Sequence, residues 1–113
     1  MHELSLMESL IELAEAEARA HHAERIRIVR VEVGALALID SEALRFCFDA
    51  VAEETLARGA QFEIVETEAA GWCGRCGAET PMTTRFEPCR RCGGAPLTPT
   101  RGDALRLLEL EIE

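Results

Sequence analysis

Four of the five cysteines stand in two pairs whose residue type and spacing suit a metal ion. Cys73 and Cys76 form the first Cys-x-x-Cys pair, Cys89 and Cys92 form the second, and twelve residues separate the pairs. Two thiolates at positions i and i+3 converge on one cation only where the backbone turns tightly, and a following glycine lets the chain leave that turn. Both pairs are followed by glycine. The pattern predicts one structural zinc held by all four thiolates, with a slightly shorter gap than is usual for such sites.

A zinc ion with four thiolate ligands has no open position for water or substrate, so it stabilises a fold and does not catalyse hydrolysis. We therefore expect a chain that is not an enzyme. Two interpretations compete with zinc, namely a thiol redox pair and disulfides. Redox pairs normally occur singly where a strand leads into a helix, whereas the second pair here follows Pro88 in a stretch without helical periodicity. A thiol oxidoreductase would also need a pair that cycles without losing metal.

The first three residues, Met1, His2 and Glu3, offer a second kind of metal chemistry. A large residue at position 2 hinders removal of the initiator methionine, which leaves a free α-amine beside a histidine. The amine, the His2 amide nitrogen and the His2 ring nitrogen can then close adjacent chelate rings around one ion. This all-nitrogen set suits Ni(II) or Cu(II), which accept square-planar ligation, better than it suits zinc. On residue type alone, however, a histidine at position 2 is most often a solvated terminal residue.

The composition indicates a globular chain that we expect in the cytoplasm. Its 113 residues are 48% hydrophobic, which is ample for one ordinary domain or for a small core with a metal-stapled module. We expect no membrane association, because the chain lacks an apolar run long enough to cross a bilayer and a start typical of a signal peptide. Paired cysteines in such a chain favour metal binding, since cytoplasmic thiols stay reduced. The fifth, Cys47, lies between Phe46 and Phe48 and is expected to be buried.

The net charge of −9 is unevenly distributed along the chain. Residues 1–69 carry −9, residues 70–101 carry +3 and residues 102–113 carry −3. Four thiolates and one zinc would lower the middle segment to about +1, which leaves no basic field. Nucleic-acid binding requires clustered cations that neutralise phosphates. The charge therefore argues against nucleic acid as a partner, and so against the main competing function, a zinc-ribbon accessory protein that binds nucleic acid.

Hydrophobic periodicity predicts the order helix, strand, helix, strand, cysteine module and strand. Apolar residues recur at intervals of three and four over residues 4–20, which is typical of an amphipathic helix. A second helix is expected to begin at Asp40 or Ser41 and to end at Gly59. Runs of β-branched or alternating apolar residues predict strands over 26–33, 62–67 and 104–112.

This order predicts an α+β fold in which two helices pack on a small three-stranded sheet. The last strand is too short to fold alone, so it should return to the sheet of the first domain. The four-cysteine segment is then a zinc-ribbon-like module inserted between two strands. Residues 1–69 and 102–113 would form the first domain, and residues 70–101 would form the inserted zinc-binding domain.

Several motifs occur in a specific order along the whole chain. They are Met1-His2-Glu3-Leu4-Ser5-Leu6, Val31-Glu32-Val33-Gly34 followed by Ile39-Asp40, Phe46-Cys47-Phe48, and the two cysteine pairs. Together they resemble the HypA/HybF family of hydrogenase nickel-incorporation proteins. The resemblance implies a nickel metallochaperone that works with the GTPase HypB and helps insert Ni(II) into the large subunit of [NiFe]-hydrogenase. It leaves open whether urease maturation proteins are also partners.

The resemblance also implies which residues hold each metal. By this resemblance, Met1, His2 and Glu3 in the first domain would bind nickel as Ni(II). A separate structural zinc, Zn(II), would be bound by Cys73, Cys76, Cys89 and Cys92. Asp40 is expected to cap the second helix, with a less favoured role as an outer or axial oxygen near the nickel. His21 and His22, near a helix C-terminus, are expected to face solvent and to interact with the helix dipole, with nickel ligation less favoured.

Overall fold

The computed structural model describes residues 2–94 and 96–113, which form two α-helices and six β-strands. The elements are α1 (His2–Ala20), β1 (Ile26–Gly34), α2 (Ser41–Ala52), β2 (Gln61–Thr67), β3 (Ala69–Cys73), β4 (Ala78–Met82), β5 (Thr98–Arg101) and β6 (Leu105–Ile112). They build two three-stranded sheets, in the orders β2-β1-β6 and β4-β3-β5. The predicted α+β class, with two helices, a small sheet and an inserted four-cysteine module, is confirmed.

The chain divides into two compact units. The first unit comprises Met1–Val31, Ile39–Val65 and Arg106–Glu113, and the second unit comprises Glu32–Leu38 and Glu66–Leu105. The segment predicted as the insertion, 70–101, lies within the second unit. A short loop after β1 belongs there too, because Leu36 is buried in the core of the second unit and its N–H donates to the Gly102 carbonyl at 2.8 Å.

α1 forms because its apolar residues lie on one face. That face buries Met7, Leu10, Ile11, Ala14 and Ala18. The helix ends at Ala20, after which the N–H of Ala23 returns to the Ala18 carbonyl at 3.0 Å and His22 adopts a φ of 57°. Its first residue is His2, so the helix starts before the predicted Leu4. An acidic residue in the first turn, Glu3, favours this extension because it complements the positive end of the helix dipole.

α2 begins where Asp40 caps it, as predicted. Asp40 has an extended backbone, and its Oδ1 accepts hydrogen bonds from the N–H groups of Glu42 and Ala43 at 3.0 and 3.2 Å. Such a carboxylate satisfies amide groups that have no partner within the helix. The buried face of α2 carries Leu44, Cys47, Phe48 and Ala52.

The predicted end of α2 at Gly59 is wrong, because the helix ends at Ala52. The hydroxyl of Thr55 donates to the Ala52 carbonyl at 2.7 Å and accepts from the Ala57 N–H at 3.0 Å. A threonine side chain that bonds to nearby backbone in this way competes with helical hydrogen bonds. Gly59, with a φ of 73°, instead lies in the turns that precede β2.

The helices of the first unit pack against each other and against its sheet. α1 packs on α2, and the ring of Phe48 on α2 stacks on Phe62 of β2 with 4.8 Å between ring centroids. β1 is the central strand and buries Val29 and Val31. Neither helix in the described ranges is long and apolar enough to span a membrane.

The opposite face of the same sheet carries a row of charges. Arg30 on β1 alternates with the buried valines and pairs with Glu63 on β2, at 2.8 Å, and with Glu109 on β6. The hydrogen bond to Glu63 is the largest cause that raises the pKa of Arg30, and the hydrogen bond to Glu109 is the next. β6 returns beside β1 as predicted, since Arg25 and Glu113 exchange backbone hydrogen bonds at 3.3 and 3.0 Å.

A close approach of backbone in the second unit depends on Gly34 and Gly102. A Cβ added to Gly34 would lie 2.3 Å from the carbonyl carbon and the carbonyl oxygen of Gly102. Gly102 itself has a φ of 74°, a conformation that favours glycine. The contact lets the Gly34 N–H donate to the Ala104 carbonyl at 3.1 Å.

We predict that Gly34→Ala destabilises the second unit by about 2 kcal/mol or more, because the backbone must move to admit the methyl group. Gly74→Ala is the matched control, since a Cβ there would meet no atom within 4 Å. Urea unfolding followed by the fluorescence of Trp72 in β3 measures both variants. Equal unfolding midpoints would contradict the predicted clash.

Candidate metal centre

The first cysteine pair lies in the hairpin that joins β3 to β4. Cys73 is the last residue of β3 and pairs with Ala78, the first residue of β4. The turn closes with a hydrogen bond from the Gly77 N–H to the Cys73 carbonyl at 2.8 Å, and the Cys76 N–H donates to Cys73 Sγ at 3.3 Å. Gly77 has a φ of 65°, which other residues rarely adopt. The glycine after the pair is therefore required by the turn, as predicted.

The second pair repeats this turn. The Gly93 N–H donates to the Cys89 carbonyl at 2.7 Å, and Gly93 has a φ of 63°. The N–H groups of Cys92 and Arg91 donate to the sulfur of Cys89. Each pair thus uses its backbone amides to orient the first sulfur, while the turn brings the second sulfur to the same side.

The two turns bring all four sulfurs together, with every Sγ within 4.8 Å of the others. Cys73 Sγ lies 3.7 Å from Cys92 Sγ, and Cys76 Sγ lies 3.9 Å from Cys89 Sγ. A tetrahedral zinc with Zn–S bonds of about 2.3 Å has sulfurs about 3.8 Å apart, so the arrangement fits that ion. We call these four residues the four-cysteine cluster.

The thiols of the cluster differ in how readily they ionise. Hydrogen bonds from the N–H of Cys92, and then from that of Arg91, lower the pKa of Cys89 to about 6 because they stabilise its thiolate. A hydrogen bond with Cys92, followed by loss of solvation, raises the pKa of Cys76 to about 12. Four thiolates this close repel one another, so full ionisation requires a cation between them. A bound divalent ion meets this requirement, because coordination deprotonates the thiols.

Glu87, which the sequence analysis did not identify, holds the segment that leads into the second pair. Its Oε1 accepts from the Thr83 hydroxyl at 2.9 Å, and its Oε2 accepts from the Arg90 Nε at 3.2 Å. The bond from Thr83, together with that from Arg90, lowers the pKa of the Glu87 carboxyl. Its backbone carbonyl also accepts from the Leu97 N–H at 3.1 Å. The only signal in the sequence was a carboxylate two positions before Cys89.

In the first unit, the start of α1 brings His2, Glu3 and Asp40 together. His2 is exposed, and its Nδ1 lies 3.7 Å from Oε2 of Glu3. The same Glu3 oxygen lies 3.4 Å from the Asp40 N–H, which donates to it. Glu3 therefore connects the starts of both helices. The remaining predicted nickel ligand, Met1, lies outside the described residues.

The other two histidines follow the end of α1, and His21 also has a carboxylate nearby, since its Nδ1 lies 3.8 Å from Glu17 Oε1. His21 Nδ1 lies 3.0 Å from the Glu17 carbonyl, to which it donates when that nitrogen carries the proton. His22 is exposed beyond the helix end. Within residues 2–94 and 96–113, the four-cysteine cluster is the only group of three or more His, Cys, Asp or Glu side chains with converging ligand atoms.

The fold and the cluster define a small α+β protein with a four-cysteine metal centre. A family model described as hydrogenase/urease nickel incorporation, metallochaperone, HypA, matches residues 1–112. The chain belongs to this HypA family. It is similar to the hydrogenase maturation factors HypA of Rhodopseudomonas palustris strain BisB5, at 50% identity, and of Methylocella silvestris, at 46%, with 100% of each chain covered.

Two solved structures have a similar fold. The solution structure of the Ni metallochaperone HypA from Helicobacter pylori has a TM-score of 0.77 at 28% identity, covering 97% of this chain and 96% of that one. A second solution structure, of a HypA protein, has a TM-score of 0.78 at 30% identity, covering 100% of this chain and 97% of the other. The resemblance noted from the sequence motifs is thus confirmed along the whole chain.

We predict that Glu87→Gln accelerates metal loss from the four-cysteine cluster roughly tenfold, because a neutral amide holds Thr83 and Arg90 less firmly and loosens the approach to Cys89. The measurement is the rate of zinc transfer from loaded protein to a chromophoric chelator. Glu68→Gln, which changes an exposed carboxylate of the same unit, is the control. If both variants release zinc at the same rate, Glu87 does not position the second pair.

Proposed function

We propose that this chain binds Ni(II) at Met1, His2 and Glu3 and helps deliver it to the large subunit of [NiFe]-hydrogenase. In the same proposal, a separate resident zinc is held by the four-cysteine cluster. The observation that supports the proposal best is the position of His2, exposed as the first residue of α1, in a chain of the nickel-incorporation family. Because His2 is exposed, it can bind a metal ion without any opening of the core of the first unit.

The helical start suits the nitrogen ligands of the proposal. The first N–H groups of a helix have no acceptor within it, so the His2 amide is not used by the hydrogen bonds of α1. That amide can therefore lose its proton and bind Ni(II) while the helix stays formed. The His2 ring and the α-amine would complete the adjacent chelate rings, which gives the nitrogen-rich ligation that Ni(II) accepts.

Carboxylates at the same place offset an electrostatic cost. The positive end of the α1 dipole disfavours a cation beside His2. Glu3 lies within reach of the His2 ring, and its Oε2 also accepts from the Asp40 N–H. Its negative charge therefore favours a divalent ion at this end of the helix. We assign Glu3 a place at the nickel and give Asp40 the lesser role of an outer oxygen, because its Oδ1 already caps α2.

The zinc of the proposal has a different purpose. Cys73, Cys76, Cys89 and Cys92 would fill every position of a tetrahedral ion, so zinc supplies folding free energy and no catalytic step. In this arrangement residues 1–69 with 102–113 are the nickel-binding domain, and residues 70–101 are the zinc-binding domain. The chain acts as a carrier and not as an enzyme.

Nickel is cargo in this mechanism and must leave the protein. The exposed position of His2 lets a partner replace the ligands of the ion one by one. Binding through a deprotonated amide also couples affinity to pH, so acid releases nickel by protonating the nitrogens. We propose the GTPase HypB and the hydrogenase large subunit as the partners, in the cytoplasm, with urease maturation proteins as a further class.

We predict that His2→Ala removes specific nickel binding while zinc content and the helical circular dichroism signal stay unchanged. The reason is that the exposed His2 side chain supports no core. His22→Ala is the matched control, because it removes another exposed histidine. Nickel titration calorimetry, with metal analysis of the same samples, measures the effect. Loss of both metals in His2→Ala would contradict the independence of the two sites.

A second prediction tests the α-amine. One glycine placed before Met1 turns the amine into an amide and moves His2 away from the chain end, so nickel affinity should fall sharply although every side chain is kept. A glycine added after Glu113 is the control and should leave the affinity unchanged. The nickel affinities of the unextended protein and of the two extended proteins are compared by calorimetric titration. Unchanged nickel affinity and stoichiometry in the N-terminally extended protein would exclude the amine as a ligand.

A further inference from the structure

A groove with several apolar side chains in its lining runs along the first unit between α1 and β6. Its volume is about 450 Å³, and the residues that matter to the argument are Leu13, Glu17 and His21 on the helix and Leu108, Leu110 and Ile112 on the strand. Leu108, Leu110 and Ile112 alternate with Glu109 and Glu111 along the strand, so the three apolar residues should share one face. They do share a face, but Leu108 and Ile112 are 42% and 36% exposed.

The apolar side chains lie on the helix side of the sheet. Glu109 pairs with Arg30 on the opposite side, and successive side chains of a strand alternate between faces. Leu108 and Leu110 therefore project toward the side that α1 covers. The helix covers them incompletely, since Leu13, which faces the groove, is itself 54% exposed.

The backbone of β6 is open on the same side of the chain. β6 is an edge strand, because β1 is its only neighbour in the sheet order of the described residues. Arg25 and Glu113 exchange both backbone hydrogen bonds, so Glu113 points its N–H and carbonyl toward β1. Alternation then points the N–H and carbonyl groups of Leu108, Leu110 and Ile112 away from β1. The three residues offer apolar side chains and free strand-pairing groups together.

The charges around the groove determine what can occupy it. The Glu17 carboxylate, 60% exposed, lies at the groove. The side chains of Glu109 and Glu111 project from the opposite face of the same edge strand, where both are exposed. A second copy of this chain would bring the same carboxylates to the contact, within a protein whose net charge is −9. Like charges placed opposite each other on paired strands are destabilising. A basic occupant is favoured instead.

We propose that β6 and the groove beside it bind an extended, basic segment of a partner protein by strand addition. The segment pairs with the backbone of Leu108, Leu110 and Ile112. Its apolar side chains fill the groove against Leu13, and its lysines or arginines, which alternate with them, project on the opposite face beside Glu109 and Glu111. This surface uses none of the proposed metal ligands, so the inference stands apart from the proposed function.

A synthetic probe tests the proposal on the full-length, zinc-loaded protein. The probe is a short peptide that alternates lysine and valine, and its binding is followed by NMR titration of backbone amides. We expect the amides of Leu108, Leu110 and Ile112 to shift. A peptide with glutamate in place of lysine, and the lysine peptide with alternate amides N-methylated, should each bind at least about tenfold more weakly, because one loses charge complementarity and the other loses strand pairing.

Variants locate the contact. Leu13→Gln and Leu108→Thr keep helix and strand propensity but remove apolar surface, and each should weaken binding of the lysine peptide roughly tenfold. Glu111→Gln, which removes an exposed charge on the face that the lysines meet, should weaken it less and reduce its dependence on salt. The matched control is Phe46→Gln, since Phe46 is 87% exposed on α2, away from the groove lining, and should bind as the parent does.

Three results would overturn the proposal. The first is equal affinity for the lysine and glutamate peptides, and the second is equal affinity of the parent and the Leu108→Thr protein for the lysine peptide. The third is self-association of the parent, measured by sedimentation, that Leu108→Thr abolishes while no peptide binds. That last result would identify a second copy of this chain as the occupant.

Discussion

The convergence of four cysteine sulfurs on one point is the constraint on which the second unit depends. Its core contains few apolar side chains, and two of the cysteines belong to it. The core residues are Leu36, Ala69, Cys73, Met82, Cys89 and Leu97. Burial of so little apolar surface cannot alone offset the entropy of ordering this segment. In the proposed account zinc supplies the difference, on the order of 10 kcal/mol, and Glu87 and the paired glycines hold the turns that make its binding possible.

The first unit is stabilised in another way, and this separates folding from cargo. Its core is formed by fully buried residues such as Met7, Val31 and Leu44 from both helices and the central strand. Neither His2 nor Glu3 belongs to that core. In the proposed function, nickel at the start of α1 can therefore arrive and leave without unfolding the unit, whereas loss of zinc from the four-cysteine cluster would remove folding energy. A carrier that keeps one metal and releases another needs this difference in burial.

Local chemistry made much of the structure predictable. The convergence of the four cysteines, the glycines in the turn after each pair and the cap of α2 by Asp40 all follow from short-range rules, and they were confirmed. The end of α2 was missed because the Thr55 hydroxyl competes with the helix backbone. The role of Glu87 and the exposure of Leu108 could not be predicted, since both depend on which distant segments pack nearby. The assignment of ligands to each metal stays a prediction.

In the proposed function, the chain keeps two metals on two chemically distinct donor sets. X-ray absorption of the untagged protein, loaded with zinc and with Ni(II), tests it most directly at the two metal edges. We expect zinc surrounded by four sulfurs at about 2.3 Å and nickel surrounded by nitrogen and oxygen alone. Sulfur in the nickel shell, or nitrogen or oxygen in place of a zinc sulfur, would contradict it.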